Sequence, residues 1–166
     1  TLSLGATTDT QDRAGQILEE KPVPELTEEN VTAAFEKFRG DFYQMPPMVS
    51  AIKQGGVPLY QLARQGKTVV REPRLVHVYG YRIDRIASPA IDFTVKCSKG
   101  FYVRTYAHDI GETLGCGAHL AELRRTRSGR FDLARSVTVD EIKTADPVAI
   151  LGKILTLPAV SRMRGA

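Results

Sequence analysis

Tyr102 and Arg104 stand two apart in the stretch "CSKGFYVRTYAHDIG", residues 97–111. That stretch joins a strand-like run to a helix-like one through the step Lys99-Gly100. A guanidinium can hold an anion with two parallel N–H donors, and a phenol ring can lie flat against another ring. A glycine-relieved turn lets both be presented side by side. The same two residues can equally pack and solvate an ordinary strand-to-helix junction, and spacing alone leaves both readings open.

Other chemistries find less support. His77, His108 and His119 lack i,i+4 or finger spacing with cysteines or carboxylates, so no metal site is expected. There is no phosphate-cradling loop, no G-x-G-x-x-G and no serine elbow. Cys97 falls on an apolar face and reads as core. With Cys116 it forms no C-x-x-C pair, which fits reduced thiols in a cytoplasmic protein. Asp109 is the most tempting internal acid; it is expected to pair at the helix end, in the first turn after Arg104.

The elements that must position Tyr102 and Arg104 can be read on either side of them. Ile91, Phe93, Val95 and Cys97 alternate with Asp92, Thr94, Lys96 and Ser98, which predicts a strand with one buried face. Tyr106, Ile110 and Leu114 fall at helical spacing, and Gly115 ends that helix. A strand is predicted over 75–83, with a turn at Ser88-Pro89. Thr27 can cap a helix carrying Val31, Ala34, Phe35 and Phe38 on one stripe, with Gly40 as its stop. Leu2 and Leu4 read as the end of a strand, which leads us to expect further residues upstream of Thr1. The segment "GATTDTQDRAGQI" reads as loop, and Thr138-x-x-Glu141 as the capping box of one last helix.

Residues 41–74 differ from the rest. Prolines and glycines interrupt them, Leu59, Leu62 and Ala63 predict a short helix, and Lys53, Arg64, Lys67, Arg71 and Arg74 face only Asp41 and Glu72. Such a segment reads either as a structured basic insertion that closes over a ligand or as a solvated connection.

Composition sets the bounds. The chain has 166 residues, 42% of them hydrophobic and 25% charged, which suits one domain with a real core. No run of eighteen apolar residues exists, so no helical membrane span is expected. The net charge is +4, unevenly spread: residues 1–40 carry eight acids against four bases, the remainder eleven against nineteen. A one-sided basic excess suits a polyanion, because each contacted phosphate releases counterions.

The blocks "LGATTDTQDRAGQI", "QMPPMVSAIKQGGVPLYQLARQGKTVVREPR", "CSKGFYVRTYAHDIGETLGCGAHLAELRRTRSGRF" and "SVTVDEI", in that order, resemble the TruB family of tRNA pseudouridine synthases over about residues 2 to 142. The resemblance implies an α+β fold, the pseudouridine synthase fold, with a mixed, largely antiparallel sheet flanked by helices and a thumb insertion at about 43–74. It implies a partial catalytic domain over 1–145 and the start of a truncated or absent C-terminal RNA-binding module over 146–166. It implies conversion of the T-loop uridine of tRNA, conventionally uridine-55, to pseudouridine. No cofactor and no metal are implied, and the partner is the T-arm of tRNA, bound by a monomer.

By the same resemblance Arg104 holds the nucleophilic carboxylate, Tyr102 walls the flipped uracil and Leu123 lines its pocket. Lys99 is assigned to phosphate or structural contact, and Lys53, Arg64, Lys67 and Arg71 to phosphates. One departure counts against activity of these residues alone. The family's nucleophilic aspartate lies in a G-x-x-D-P-x-A-x-G block upstream of L-G-x-x-T-x-T-x-D, and the only Asp-Pro pair here is Asp146-Pro147. Two other functions stay open: a guide-RNA-dependent relative, and a non-catalytic tRNA-binding or folding module.

Overall fold

The computed structural model describes residues 1–66 and 69–164 and divides into two compact units, Thr1–Leu123 and Arg124–Ala166. Unit one opens with β1 (Leu2–Leu4), β2 (Ala6–Thr8) and β3 (Ile17–Glu20), then α1 (Glu28–Glu36) and β4 (Gly40–Gln44). The small hairpin β5 (Lys53–Gln54) and β6 (Val57–Pro58) follows, then α2 (Leu59–Arg64). The unit continues with β7 (Arg74–Ala87), β8 (Ala90–Cys97), α3 (Val103–Thr113) and β9 (Ala118–Leu120).

Five strands form one antiparallel sheet in the order β4-β7-β8-β1-β9. The architecture is α+β, as the resemblance implies. Alternation dictates what each strand buries. In β4, Phe42 and Gln44 turn inward while Asp41 and Tyr43 are exposed; in β7, Val76 and Val78 are buried between exposed Leu75 and Tyr79. The inner face meets α1 through Val31, Ala34 and Phe35, and α3 through Tyr106, Ala107 and Ile110. Phe35 makes an edge-on contact with Tyr106 at 5.7 Å, and each fully buried side chain of this kind contributes about 1.5–3 kcal/mol. Helix α3 lies so close to the β9 approach that a Cβ at Gly111 would overlap the amide nitrogen and Cβ of Ala118. That closeness requires glycine.

Three expectations change. The segment expected as loop contains β2 and the first residue of β3, because Thr7 and Thr8 are β-branched and pair with Glu19 and Ile17. Residues 41–44, read as part of the insertion, belong to the sheet edge. Gly40, expected as a helix stop, is the first residue of β4, and α1 ends at Glu36. The capping box of α1 is closed by Asn30, whose side chain accepts from the Thr27 amide at 3.0 Å.

Unit two contains the hairpin β10 (Arg127–Ser128) and β11 (Phe131–Asp132), a 3₁₀ turn at Leu133–Arg135, and helices α4 (Val139–Thr144), α5 (Pro147–Lys153) and α6 (Leu157–Arg164). Thr138 and Glu141 form the capping box of α4, with the Thr138 amide donating to Glu141 at 2.6 Å. Two more helices follow it, where the spacing predicts a single one. Pro147, at the first position of α5, and Leu157-Pro158 at the start of α6 favour new helix starts over continuation.

Candidate functional site

The first turn of α3 carries the candidate cation. Gly100 adopts φ +86°, which lets β8 turn into the helix. Phe101 then packs on Tyr106 in the core, Tyr102 becomes the N-cap, and Arg104 lies in the first turn. Three groups hold the Arg104 guanidinium. Nη1 donates to the Thr10 carbonyl and to Asp12 Oδ2, both at 3.1 Å, and Nη2 donates to the Val49 carbonyl at 2.6 Å. The side chain is 22% exposed and that of Asp12 28%. This is a partly desolvated ion pair rather than a surface one.

Asp12 is itself fixed from several directions. Oδ1 accepts from the Thr10 hydroxyl at 2.8 Å and from the Ala14 amide at 3.0 Å. On either side of it, the Leu120 amide donates to the Gln11 carbonyl and the Arg13 amide to the Leu120 carbonyl, each at 3.0 Å. These bonds bind the loop to the end of β9. Burial pushes the Asp12 carboxyl upward, but the Thr10 hydroxyl, the Ala14 amide and Arg104 outweigh it, so the group titrates below the ordinary carboxylate range. Gln11 occupies the left-handed region at φ +61°, uncommon for a side-chain-bearing residue, and its Oε1 accepts from the Thr105 hydroxyl at 2.8 Å. Such strain persists only where neighbours over-determine it, as here.

Arg104 and Asp12 line a groove of about 610 Å³ with Arg13, Leu120 and Leu123. Leu123 is 62% exposed, an apolar residue at the rim of a charged floor. A second groove, about 530 Å³, lies between α1 and β7, where Arg39 pairs with Glu36 at 3.2 Å and Arg82 with Asp84 at 2.5 Å. Its paired cations are exposed side chains, whereas Arg104 of the first groove is mostly buried and held from three directions.

The structure therefore brings Arg104 and Leu123 together. Tyr102 is half-buried at the helix cap and is not among the residues lining the groove. Lys99 is exposed at the turn before α3, and Lys53 is exposed on the β5–β6 hairpin. Arg71 donates to the Pro46 carbonyl at 2.7 Å, closing the base of the 43–74 segment. Lys67 and the side chain of Arg64 lie outside the described residues. Asp109 departs from expectation: it sits well inside α3, beyond the first turn, and has no salt-bridge partner among the described residues. Burial pushes its carboxyl up to about 6.

Two groups escaped the sequence reading, Asp12 and Gln44. Asp12 was visible as the final residue of L-G-x-x-T-x-T-x-D, although nothing in that segment announced its partner. Gln44, 2% exposed, bonds the main chain of Tyr102, and its residue type carried no signal.

Comparisons with known proteins identify the family. Residues 1–103 match the TruB family pseudouridylate synthase N-terminal domain, and residues 104–149 match the tRNA pseudouridylate synthase B C-terminal domain. Among curated proteins, tRNA pseudouridine synthase B of Opitutus terrae is 53% identical over 86% of this chain and 59% of its own length. The enzyme of the same name from Geobacter sulfurreducens is 46% identical over 96% of this chain and 52% of its own. The chain thus spans between half and three fifths of the length of these relatives. A solved Cbf5–Nop10–Gar1 complex contains a chain similar in fold, with a TM-score of 0.58 and 27% identity, over 84% of this chain and 33% of that one. The strand-to-helix turn with its anchored arginine belongs to a chain that is a member of the TruB family of pseudouridylate synthases.

Proposed function

We propose that these residues supply the cationic side of a tRNA pseudouridine synthase site acting on the T-loop uridine, uridine-55 by convention. The carboxylate that attacks the nucleoside would come from outside the 166 residues, since the G-x-x-D-P-x-A-x-G block is not among them. The observation that carries the reading is the three-point anchorage of Arg104 in a groove edged by Leu123. A free base must be held while its C1′–N1 bond is broken, its ring turned and a C1′–C5 bond made. The proton on C5 leaves and N1 gains one, so the product is an isomer and no cofactor is required. Such a reaction needs an ionised carboxylate with a fixed direction, and a guanidinium that cannot reorient provides one.

In this reading Tyr102 is a flat wall against the flipped uracil and Leu123 lines its pocket. The segment 43–74 acts as a thumb on the T-loop, with Lys53, Arg64, Lys67 and Arg71 near phosphates and Lys99 beside them. Residues 1–145 form part of the catalytic domain and 146–166 begin an RNA-binding module, in a monomer that works in the cytoplasm. The 53% identity to tRNA pseudouridine synthase B, against 27% to the Cbf5 chain, supports a stand-alone tRNA enzyme over a guide-dependent one.

The test is single-turnover release of tritium from C5-labelled tRNA by the full-length protein. Arg104→Lys keeps the charge but loses the planar fork. It is expected to cost roughly two to three decades in rate, with tRNA affinity nearly unchanged. Residues 1–166 alone are expected to bind tRNA weakly and convert none. Conversion by that piece would place the attacking acid inside it and end this assignment of roles.

A further inference from the structure

We infer that Gln44 is a positioning residue for this site: its carboxamide pins the main chain of Tyr102 and, through it, the turn that carries Arg104. The inference rests on the reaction proposed above. Gln44 is the last residue of β4, and its inward-facing side chain is 2% exposed. Both ends of the amide bond to one residue 58 positions away. Oε1 accepts from the Tyr102 amide at 2.8 Å, and Nε2 donates to the Tyr102 carbonyl at 3.0 Å. The side chain thus imitates the paired bonds that a neighbouring strand would make.

Tyr102 needs such a partner. It is the N-cap of α3, yet its own side chain makes no capping bond. Its carbonyl also accepts the first helical bond, from the Tyr106 amide at 3.0 Å. Whatever holds the Tyr102 peptide therefore sets where the helix begins and where Arg104 emerges. An apolar side chain of the same length would fill the space but leave the Tyr102 amide without its acceptor, so glutamine both stabilises the turn and fixes its position.

A second tether leads to the same turn. From Gln44 the chain passes through the buried Pro46 and Pro47, and the Val49 carbonyl then receives Arg104 Nη2 at 2.6 Å. Segment 44–49 meets the start of α3 at residues 102 and 104, and two prolines stiffen the path between those meeting points. Losing the amide would free one tether and let wall and cation shift together.

The test uses the full-length protein with Gln44→Met, which keeps length and volume, and Gln44→Glu. In the Met variant, hydrogen exchange at the Tyr102 amide is expected to rise at least about tenfold relative to Ile110 deeper in α3. The single-turnover rate should fall about ten- to a hundredfold, because displacements near 1 Å cost that much. The dissociation constant for tRNA should stay within about threefold. In the Glu variant a protonated acid can both accept from and donate to Tyr102, and an ionised one cannot. Its rate should recover as pH is lowered from 8 to 6, an effect absent from Gln44→Met. A folded Met variant with wild-type exchange at Tyr102 and wild-type rate would overturn the inference. So would a rate loss that merely follows the unfolded fraction. If Gln44→Met fails to fold, the pH response of Gln44→Glu decides. If the wild-type protein makes no pseudouridine, the proposed reaction fails, while exchange at Tyr102 still judges the pin.

Discussion

Arg104 Nη1 and Asp12 Oδ2 lie 3.1 Å apart although 92 positions separate them in the chain. The pair joins the loop after β2 to the first turn of α3, and the other oxygen of Asp12 is bonded to Thr10 and Ala14. A carboxylate held in this way directs the guanidinium without being free to move. Asp12→Asn keeps the shape and removes the charge. It is expected to lower single-turnover pseudouridine formation about ten- to a hundredfold, and to change the tRNA dissociation constant far less. Because the Asp12 carboxyl titrates below its ordinary value, its stabilising contribution is present above about pH 4 and fades as pH falls further.

Asp109 has the opposite sign. Burial raises its carboxyl to about 6 from 3.8, so between those values the folded chain binds a proton that the unfolded chain releases. Stability contributed at this position therefore falls as pH rises through that window. Asp109→Asn should match wild type near pH 4 and exceed it at pH 7.5. Full linkage would give about 3 kcal/mol, reduced to roughly 1–2 kcal/mol because the group is partly exposed. Thermal melts of both proteins across pH 4–8 check this. Parallel curves would show that Asp109 finds a partner on folding.

The Tyr106 hydroxyl is buried without a hydrogen-bond partner among the described residues, inside a ring cluster of Phe35, Phe38, Phe93 and Phe101. Tyr106→Phe removes a desolvated donor and keeps every ring contact. It is expected to stabilise the fold by about 1–2 kcal/mol, measured by urea denaturation. A loss of stability would reveal a partner for the hydroxyl in solution.

The basic excess after residue 40 carries a salt signature. Lys53 and Lys99 are exposed on separate turns. The double change Lys53→Glu, Lys99→Glu should weaken tRNA binding and flatten its dependence on salt, by about 0.7–0.9 in logarithmic slope for each phosphate no longer neutralised. An unchanged slope in titrations from 50 to 300 mM salt would place both lysines off the RNA.

What could be read from the residues follows from how local each signal is. Alternation from Ile91 to Cys97 and the helical spacing of Tyr106 and Ile110 each lie within one element, so β8 and α3 were legible, and Arg104 with them. Thr138 and Glu141 are three apart and reach each other on their own. By contrast, β4 hides in "GDFYQ" just ahead of Pro46-Pro47, and only pairing with β7 shows it to be a strand. The Asp12–Arg104 contact depends on β9 drawing the 11–13 loop alongside Leu120. Burial of Gln44 depends on the first turn of α3 arriving to satisfy it. These are products of tertiary pairing, and no window of sequence contains them.

The position of β1 in the sheet has a consequence for the order of assembly. Leu2 pairs with Ile91 on one side and Leu120 on the other, so both of its neighbours are made long after it. The β7–β8 hairpin closes through a tight turn at little cost in loop entropy, whereas β1 must wait for two distant partners. Among the described residues Leu2 and Leu4 have no sheet partner until β8 is made, and the Arg104 turn can be secured only after β9 has captured the loop beside β1. The Arg104 cation is thus among the last parts of unit one to find its place, and a chain stalled before Leu120 would hold a formed hairpin and no site.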